Sequence, residues 1–292
     1  MSTVGEDRGT VLVIGGAEHE GSAAIRHLRD RGLAVRALLK EGEGATAERL
    51  AALGAEPVLA DPEDLGSVGR ALEGVRSLVL VIDEADSGPR ARLHEGRVVA
   101  EAASRADLGE VVYIAGSGTE HHQVSCDRSR EIEERMHALE LPLTVLRPVT
   151  LMEEIPWYWL HRYGSGLELA TPYEPDLPLP LVAADDVGAV AALAVAEPGL
   201  FLGHTHVTVA GDEATPRSIA DELERDLGEP VLLTEVQVEG VFMFPDAVGH
   251  ARDLEWLRTV HPRLQTLREW LTVCGSDVCR SMVGIAGELP GG

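Results

Sequence analysis

The sequence predicts an α/β protein: a doubly wound parallel sheet followed by a smaller C-terminal α/β lobe. Three observations carry this. Short apolar runs alternate with helical stretches through the first half of the chain, and the runs are apolar nearly throughout, as strands covered on both faces must be. The first run also ends on a pair of glycines that lead straight into a helix.

Residues 10–14, TVLVI, read as the first strand, and Gly15-Gly16 as its turn; from Gly21 to Arg31, Ile25 and Leu28 fall on one helical face. LAVRALL (33–39) is a strand, ATAERLAAL a helix, AEPVLA a strand, and PEDLGSVGRALEGV a helix opened by Pro62 near its first turn. SLVLVI (77–82), a helix over 89–106, GEVVYIA, a helix over 127–139 and LTVLR complete six strands. Right-handed crossovers make that alternation a parallel sheet. Past Pro148 the composition shifts: residues 151–181 hold three of the 4 tyrosines and two of the 4 tryptophans without a long period. A helix over 184–196 follows, with Asp185 and Asp186 placed to cap it, then strand HVTVA, a helix over 216–227, strand VLLTEV and a helical tail to about Val273. The division expected is a dinucleotide-binding type of domain over 1–150, an interleaved substrate lobe over 151–280, and a flexible tail over 281–292.

Composition narrows the function. The 292 residues carry 49 acidic and 25 basic side chains, a formal charge of -24, so phosphate backbones and anionic membranes are repelled. Nucleic acid and membrane are therefore not expected as partners; a small-molecule substrate is, with a homodimer possible on this fold. The N-terminus has no basic region followed by an apolar stretch, and the longest apolar stretch, AVAALAV (189–195), is too short to span a bilayer, so a cytoplasmic protein is expected. Cys126, Cys274 and Cys279 do not make a disulfide framework, and the last two read as ordinary thiols in a mobile tail. His204 and His206 alternate on one strand, but no further ligand follows at a supporting spacing, so no metal site is expected.

The first turn runs Gly15-Gly16-Ala17-Glu18-His19-Glu20-Gly21. Glycines there let the chain approach a pyrophosphate while the helix N-terminus supplies free N–H groups. Gly15 and Gly21 stand where a G-x-x-G-x-x-G pattern needs its outer glycines, but Glu18 takes the middle position and Glu20 adds a second anion. The competing reading is a tight turn and nothing more. About 20 residues on, where NAD would want a carboxylate for its ribose, stands Lys40, the chain's single lysine. A cation there suits a 2′-phosphate and so NADP over NAD; a solvated strand-end lysine is the alternative.

On these segments, VLVIGGAEHEG, VRALLK, GAEPVLADPEDLGSVGRALEGV and LPLTVLRPVTLMEE, continued by LPLPLVAADDVGAVAALAVAEPG and HVTVAGDEATPRSIADELERDLGEPV, the chain resembles the NmrA-like family of atypical short-chain dehydrogenases/reductases. The resemblance implies a Rossmann-type fold and NAD(P) binding, across a family of reductases, cofactor-sensing regulators and pathway enzymes. It assigns Gly15, Ala17, Glu18 and Gly21 to the cofactor turn, Lys40 to the 2′-phosphate, Asp61 to the adenine side, and Ala115, Gly116 and Ser117 to the strand end beside the nicotinamide. Arg130 lies where the family carries a lysine and could bind phosphate or ribose, though an arginine is a poor proton donor. The ordinary Tyr-x-x-x-Lys mechanism is excluded, because none of Tyr113, Tyr158, Tyr163 or Tyr173 has lysine four residues on.

Ser117, His121 and His122 form the candidate catalytic set, since histidine titrates near neutrality; solvated loop histidines are the plainer alternative. Met152, Trp157, Tyr158, His161 and Tyr163 are the candidate substrate pocket, against the alternative of simple packing. Three functions stay open: an NADPH-dependent reductase of a small carbonyl or conjugated substrate, for instance in secondary metabolism; a member that lost redox work and catalyses an isomerisation or cyclisation; and a non-catalytic NADP-sensing regulator.

Overall fold

The computed structural model describes residues 9–82, 88–115, 127–236 and 250–286. The chain forms two units, residues 1–147 with 187–208, and residues 148–186 with 209–292. Its elements in order are β1 (Thr10–Ile14), α1 (His19–Asp30), β2 (Ala34–Leu39), α2 (Gly44–Ala52), β3 (Glu56–Leu59), α3 (Leu65–Ala71), β4 (Val75–Val81), α4 (Gly88–Ala103), β5 (Glu110–Ile114), α5 (Asp127–Ala138) and β6 (Leu143–Pro148). They continue with β7 (Thr150–Leu151), β8 (Leu160–Tyr163), β9 (Gly166–Thr171), β10 (Leu179–Val182), α6 (Ala184–Ala196), β11 (His206–Val209) and β12 (Asp212–Ala214). The last are α7 (Pro216–Leu227), β13 (Val231–Glu235), α8 (His250–Val260), α9 (Leu267–Trp270) and α10 (Ser276–Ala286).

The first unit is the expected doubly wound sheet, with strand order β11-β6-β5-β4-β1-β2-β3. The ladders joining β3, β2, β1, β4, β5 and β6 are all parallel. Burial explains the sequence pattern. Central strands β1 and β5 are buried almost from end to end, so past their first residues, Thr10 and Glu110, the positions are apolar or aromatic whichever face they point to, while edge strand β3 is largely exposed. One face packs Leu12, Ile14, Leu78, Leu80, Val111 and Tyr113 into a cluster with Val99 and Ala103 of α4 and Ile132 and Met136 of α5. On α6, Gly188 explains the glycine of the AADDVG segment: a Cβ there would come within 2.5 Å of the Ala23 backbone and side chain on α1, so glycine lets the two helices meet backbone to backbone.

The strand read from HVTVA is the sheet's seventh and not part of a separate lobe: His206–Val209 lies at its edge beside β6, with the Val145 N–H donating to the Thr205 carbonyl (2.8 Å). Two cap assignments also change. Helix α3 starts at Leu65 rather than near Pro62, because the Asp64 carboxylate accepts from the Ser67 N–H (2.6 Å) and ends the preceding turn. The start of α6 is held by Glu153, whose carboxylate accepts from the Ala184 N–H (3.0 Å); Asp186 instead accepts from His261 (3.1 Å) and the Gln265 N–H (2.8 Å).

The second unit carries two three-stranded sheets, β12-β10-β7 and β13-β9-β8, over a core of Met152, Ile155, Trp159, Leu167, Leu169, Ile219, Leu223 and Trp270. Its C-terminal helix α10 continues to Ala286, and Cys279 is fully buried in that core, which corrects the reading of this thiol as part of a mobile tail. No helix among the described residues is long and apolar enough to cross a membrane.

Candidate functional site

In an open parallel sheet, ligands sit where the strand order reverses, at the carboxyl ends of the strands. Here the reversal falls between β1 and β4, and a cavity opens at that point. It is lined by Ile14 to Glu18 after β1, Leu38 to Lys40 at the end of β2, Glu43, Pro62, Val81 and Ile82 at the end of β4, and Glu95 of α4. Its volume is ≈ 90 Å³. Ligand clefts run to roughly 300–1,000 Å³, so the cavity that the described residues form is smaller than a whole ligand cleft.

The turn itself is built for close approach. Gly15 adopts φ +78°, a left-handed conformation that favours glycine, and a Cβ on it would overlap the Val81 carbonyl. A Cβ on Gly21 would overlap the Gly15 carbonyl, so the helix can begin this near the strand end only with glycine at both places. Glu18 holds the cap position of α1 with extended backbone and makes no side-chain cap bond. Its N–H donates to the Gly15 carbonyl (3.1 Å) and its carbonyl accepts from the Ser22 N–H (2.9 Å). Glu18 thus lines the cavity at the helix end that favours anions. Ala17 is exposed beside it, and the Arg49 guanidinium donates to the Ala17 carbonyl (3.3 Å), bringing a cation to the turn from α2. His19 opens α1; burial, and then the charge of Arg49, lower its pKa below the usual histidine range.

Lys40 stands at the cavity wall, as its sequence position implies, but it is already engaged. Its ammonium lies 3.7 Å from the Glu95 carboxylate, and its N–H donates to the Glu43 side chain (2.8 Å). Glu95 is nearly buried: burial raises its pKa, Lys40 opposes this, and Glu63 and Asp61 add to it. Asp61 is exposed and turned on its own loop, accepting from the Glu63 N–H (2.9 Å) while its N–H donates to Ser67 Oγ (3.1 Å). Ala115 is buried directly after β5, its N–H donating to the Leu146 carbonyl (2.9 Å).

The remaining candidates disperse. Arg130 is on α5, 3.4 Å from Glu134 one turn on, and is not among the residues lining the cavity. Gly116, Ser117, His121 and His122 lie outside the described residues. Met152 is fully buried in the core of the second unit, whereas Trp157, Tyr158 and Tyr163 are exposed. His161 is exposed on β8, with Nε2 3.1 Å from the Tyr158 carbonyl. Trp157 and Tyr158 belong to a π-helical turn, Ile155–Trp159, that buries Trp159 and turns its neighbours outward. Sequence reasoning missed Glu43, Arg49 and Glu95. Glu95 gave no local signal, because it is one glutamate in an amphipathic helix until α4 folds against the strand ends.

The geometry has close counterparts among solved structures. NmrA, a negative transcriptional regulator, in complex with NAD is 15% identical with a TM-score of 0.74 over 94% of this chain and 98% of that one. A Citrobacter sp. triphenylmethane reductase complexed with NADP(H) is 16% identical with a TM-score of 0.63, covering 96% of this chain and 92% of that one. An NADPH-dependent quinone oxidoreductase from Escherichia coli, complexed with NADPH, is 21% identical with a TM-score of 0.60, covering 94% and 90%. These likenesses show the fold, a Rossmann-type frame on which both regulators and reductases are built. The NmrA-like family profile matches residues 7–256, nearly the full span of both units. The chain belongs to the NmrA-like family.

Proposed function

We propose that this protein binds NADP(H) at the β1–β4 switch point and reduces a small carbonyl or conjugated substrate. The observation that carries the reading is Lys40 standing on the same cavity as Gly15 to Glu18 of the glycine turn, where a cation can receive a 2′-phosphate. The turn suits a dinucleotide, since glycine at both Gly15 and Gly21 lets the start of α1 sit close against the end of β1, where the helix N-terminus can face a pyrophosphate. Gly15, Ala17 and Gly21 would hold the pyrophosphate, with Arg49 within reach of the same turn, and Lys40 the 2′-phosphate after parting from Glu95. NADPH supplies the hydride when bound. Ala115 and Gly116 would flank the nicotinamide; Ser117, His121 or His122 would give a proton to the reduced substrate, because the sole lysine is committed elsewhere. Trp157, Tyr158, His161 and Tyr163 would meet the substrate.

Titrating NADPH fluorescence tests this. Saturable binding, weaker for NADH and lost preferentially for NADPH in Lys40→Ala, is the expected result; no signal up to millimolar cofactor overturns it. A second reading, non-redox chemistry on the same fold, is favoured by one observation: two acidic residues, Glu18 and Glu95, line the cavity that would take the phosphates. Absence of NADPH binding together with cofactor-independent turnover in an isomerisation or cyclisation assay would decide for it, and tight NADPH binding would count against it.

A further inference from the structure

On the opposite side of the sheet's centre from the glycine turn, three side chains converge that no local spacing connects. Glu133 and His137 are one turn apart on α5, and His206 opens edge strand β11. Nε2 of His206 lies 2.8 Å from Oε1 of Glu133 and 3.3 Å from Nε2 of His137, and the third separation, His137 Nε2 to Glu133 Oε1, is 3.9 Å. We propose that Glu133, His137 and His206 form a binding site for a borderline divalent cation of the Zn²⁺ class, with water as the fourth ligand.

The distances carry the argument. Around a tetrahedral centre with bonds of about 2.0–2.1 Å, donor atoms stand about 3.3–3.4 Å from one another, and the three observed separations bracket that value. The donor set is two imidazoles and one carboxylate, which suits such ions rather than Mg²⁺ or Ca²⁺, whose preference is for oxygen. The ring of His206 is oriented for ligation by its other nitrogen: Nδ1 is 3.2 Å from Thr205 Oγ1, and donating there leaves Nε2 with its lone pair toward the cluster. Arg147 on β6 reaches both Glu133 oxygens, at 3.0 and 2.8 Å, and fixes the carboxylate from the sheet side. A carboxylate has further lone pairs to offer, so Oε1 keeps the capacity to bind a metal, although the guanidinium charge lowers the affinity. Glu133 is buried while both imidazoles remain partly exposed, so an ion and its water can enter from solvent. Binding would tie α5 to the edge strand, the element most easily parted from the sheet.

The test titrates Zn²⁺ into the chelator-treated full chain by calorimetry, beside His137→Ala, His206→Ala and the double variant, with Mg²⁺ as the control for diffuse binding to the acidic surface. One equivalent of Zn²⁺, weakened about ten-fold or more by each single change and unmatched by Mg²⁺, is the expected result. An unchanged Zn²⁺ isotherm in the double variant, or no binding by the parent, overturns the proposal. Co²⁺ loaded into the parent chain gives a readout that does not depend on the variants folding. Intense visible absorption from a four-coordinate centre supports the site, and the weak bands of an octahedral ion contradict it.

Discussion

Glu95 and Glu133 lie on helices α4 and α5, with side chains 11% and 8% exposed, yet their acidities shift in opposite directions. At Glu95, burial raises the pKa; Lys40, at 3.7 Å, offsets only part of it, and Glu63 and Asp61 push the same way as burial. At Glu133, burial acts likewise, but the hydrogen bond from His206 and the charges of Arg147, His206 and His137 outweigh it and hold the carboxyl below its usual range. Burial alone therefore does not set the direction; the number and closeness of surrounding cations do. The glycine-turn cavity is short of positive charge, and the α5–β11 cluster is well supplied. Glu110 is the limiting case: buried at the start of β5, helped only by the Thr144 hydroxyl and with no hydrogen bond at Oε1, its carboxyl is pushed up to about 7.

The strongest way to sharpen this contrast is Glu110→Gln. A carboxyl whose folded pKa is raised favours the fold while protonated, so its contribution is present below the unfolded value of 4.5 and lost as pH rises through about 7. Near pH 8 the parent bears the burial of an uncompensated charge, and the amide should recover about 3 kcal/mol. Urea denaturation at pH 5 and pH 8 reads this directly. An equal gain at both pH values would break the account.

Next in size is Glu133→Gln in metal-free protein. It takes from Arg147, only 16% exposed, the carboxylate that it pairs with, and should cost about 2 kcal/mol by denaturant unfolding at pH 7. A neutral result would mean that Arg147 finds another carboxylate at no cost.

Glu95→Gln addresses the other side of the comparison through binding. Releasing Lys40 from its partner should tighten NADP about ten-fold, equivalent to about 1.4 kcal/mol, and NAD much less. If both cofactors tighten equally, Lys40 does not read the 2′-phosphate. The smallest effect is expected for Glu18→Gly, which removes an anion from the turn at the expense of a cap-position residue. It should improve the affinity for both cofactors by about three-fold, measured in the same fluorescence titration.

Much of this was legible in the chain itself. The central strands of the first unit are buried on both faces, so their apolar runs needed no context to be recognised, while the strand order came only with the structure. HVTVA was legible as a strand, but not its place at the edge of this sheet, because the chain returns there only after residues 148–186 of the second unit. Asp185 and Asp186 lie in the first turn of α6 as read, but the carboxylate that accepts from the Ala184 N–H, Glu153, is supplied from 31 residues earlier.

What the sequence by itself determined is the doubly wound sheet, the glycine turn, the excess of negative charge and a lone lysine that rules out the Tyr-x-x-x-Lys mechanism. All of these depend on residue type, local period or count. Only the tertiary structure decided that Glu95 occupies Lys40, that Arg49 reaches the turn, and that Glu133 and His137 meet a histidine 73 and 69 positions further on. The physical reason is the range of the interactions. Helix and strand periods act over a few residues of chain, whereas hydrogen bonds and ion pairs act over a few ångströms of space, and packing helices against a sheet makes the second kind of neighbour without regard to the first.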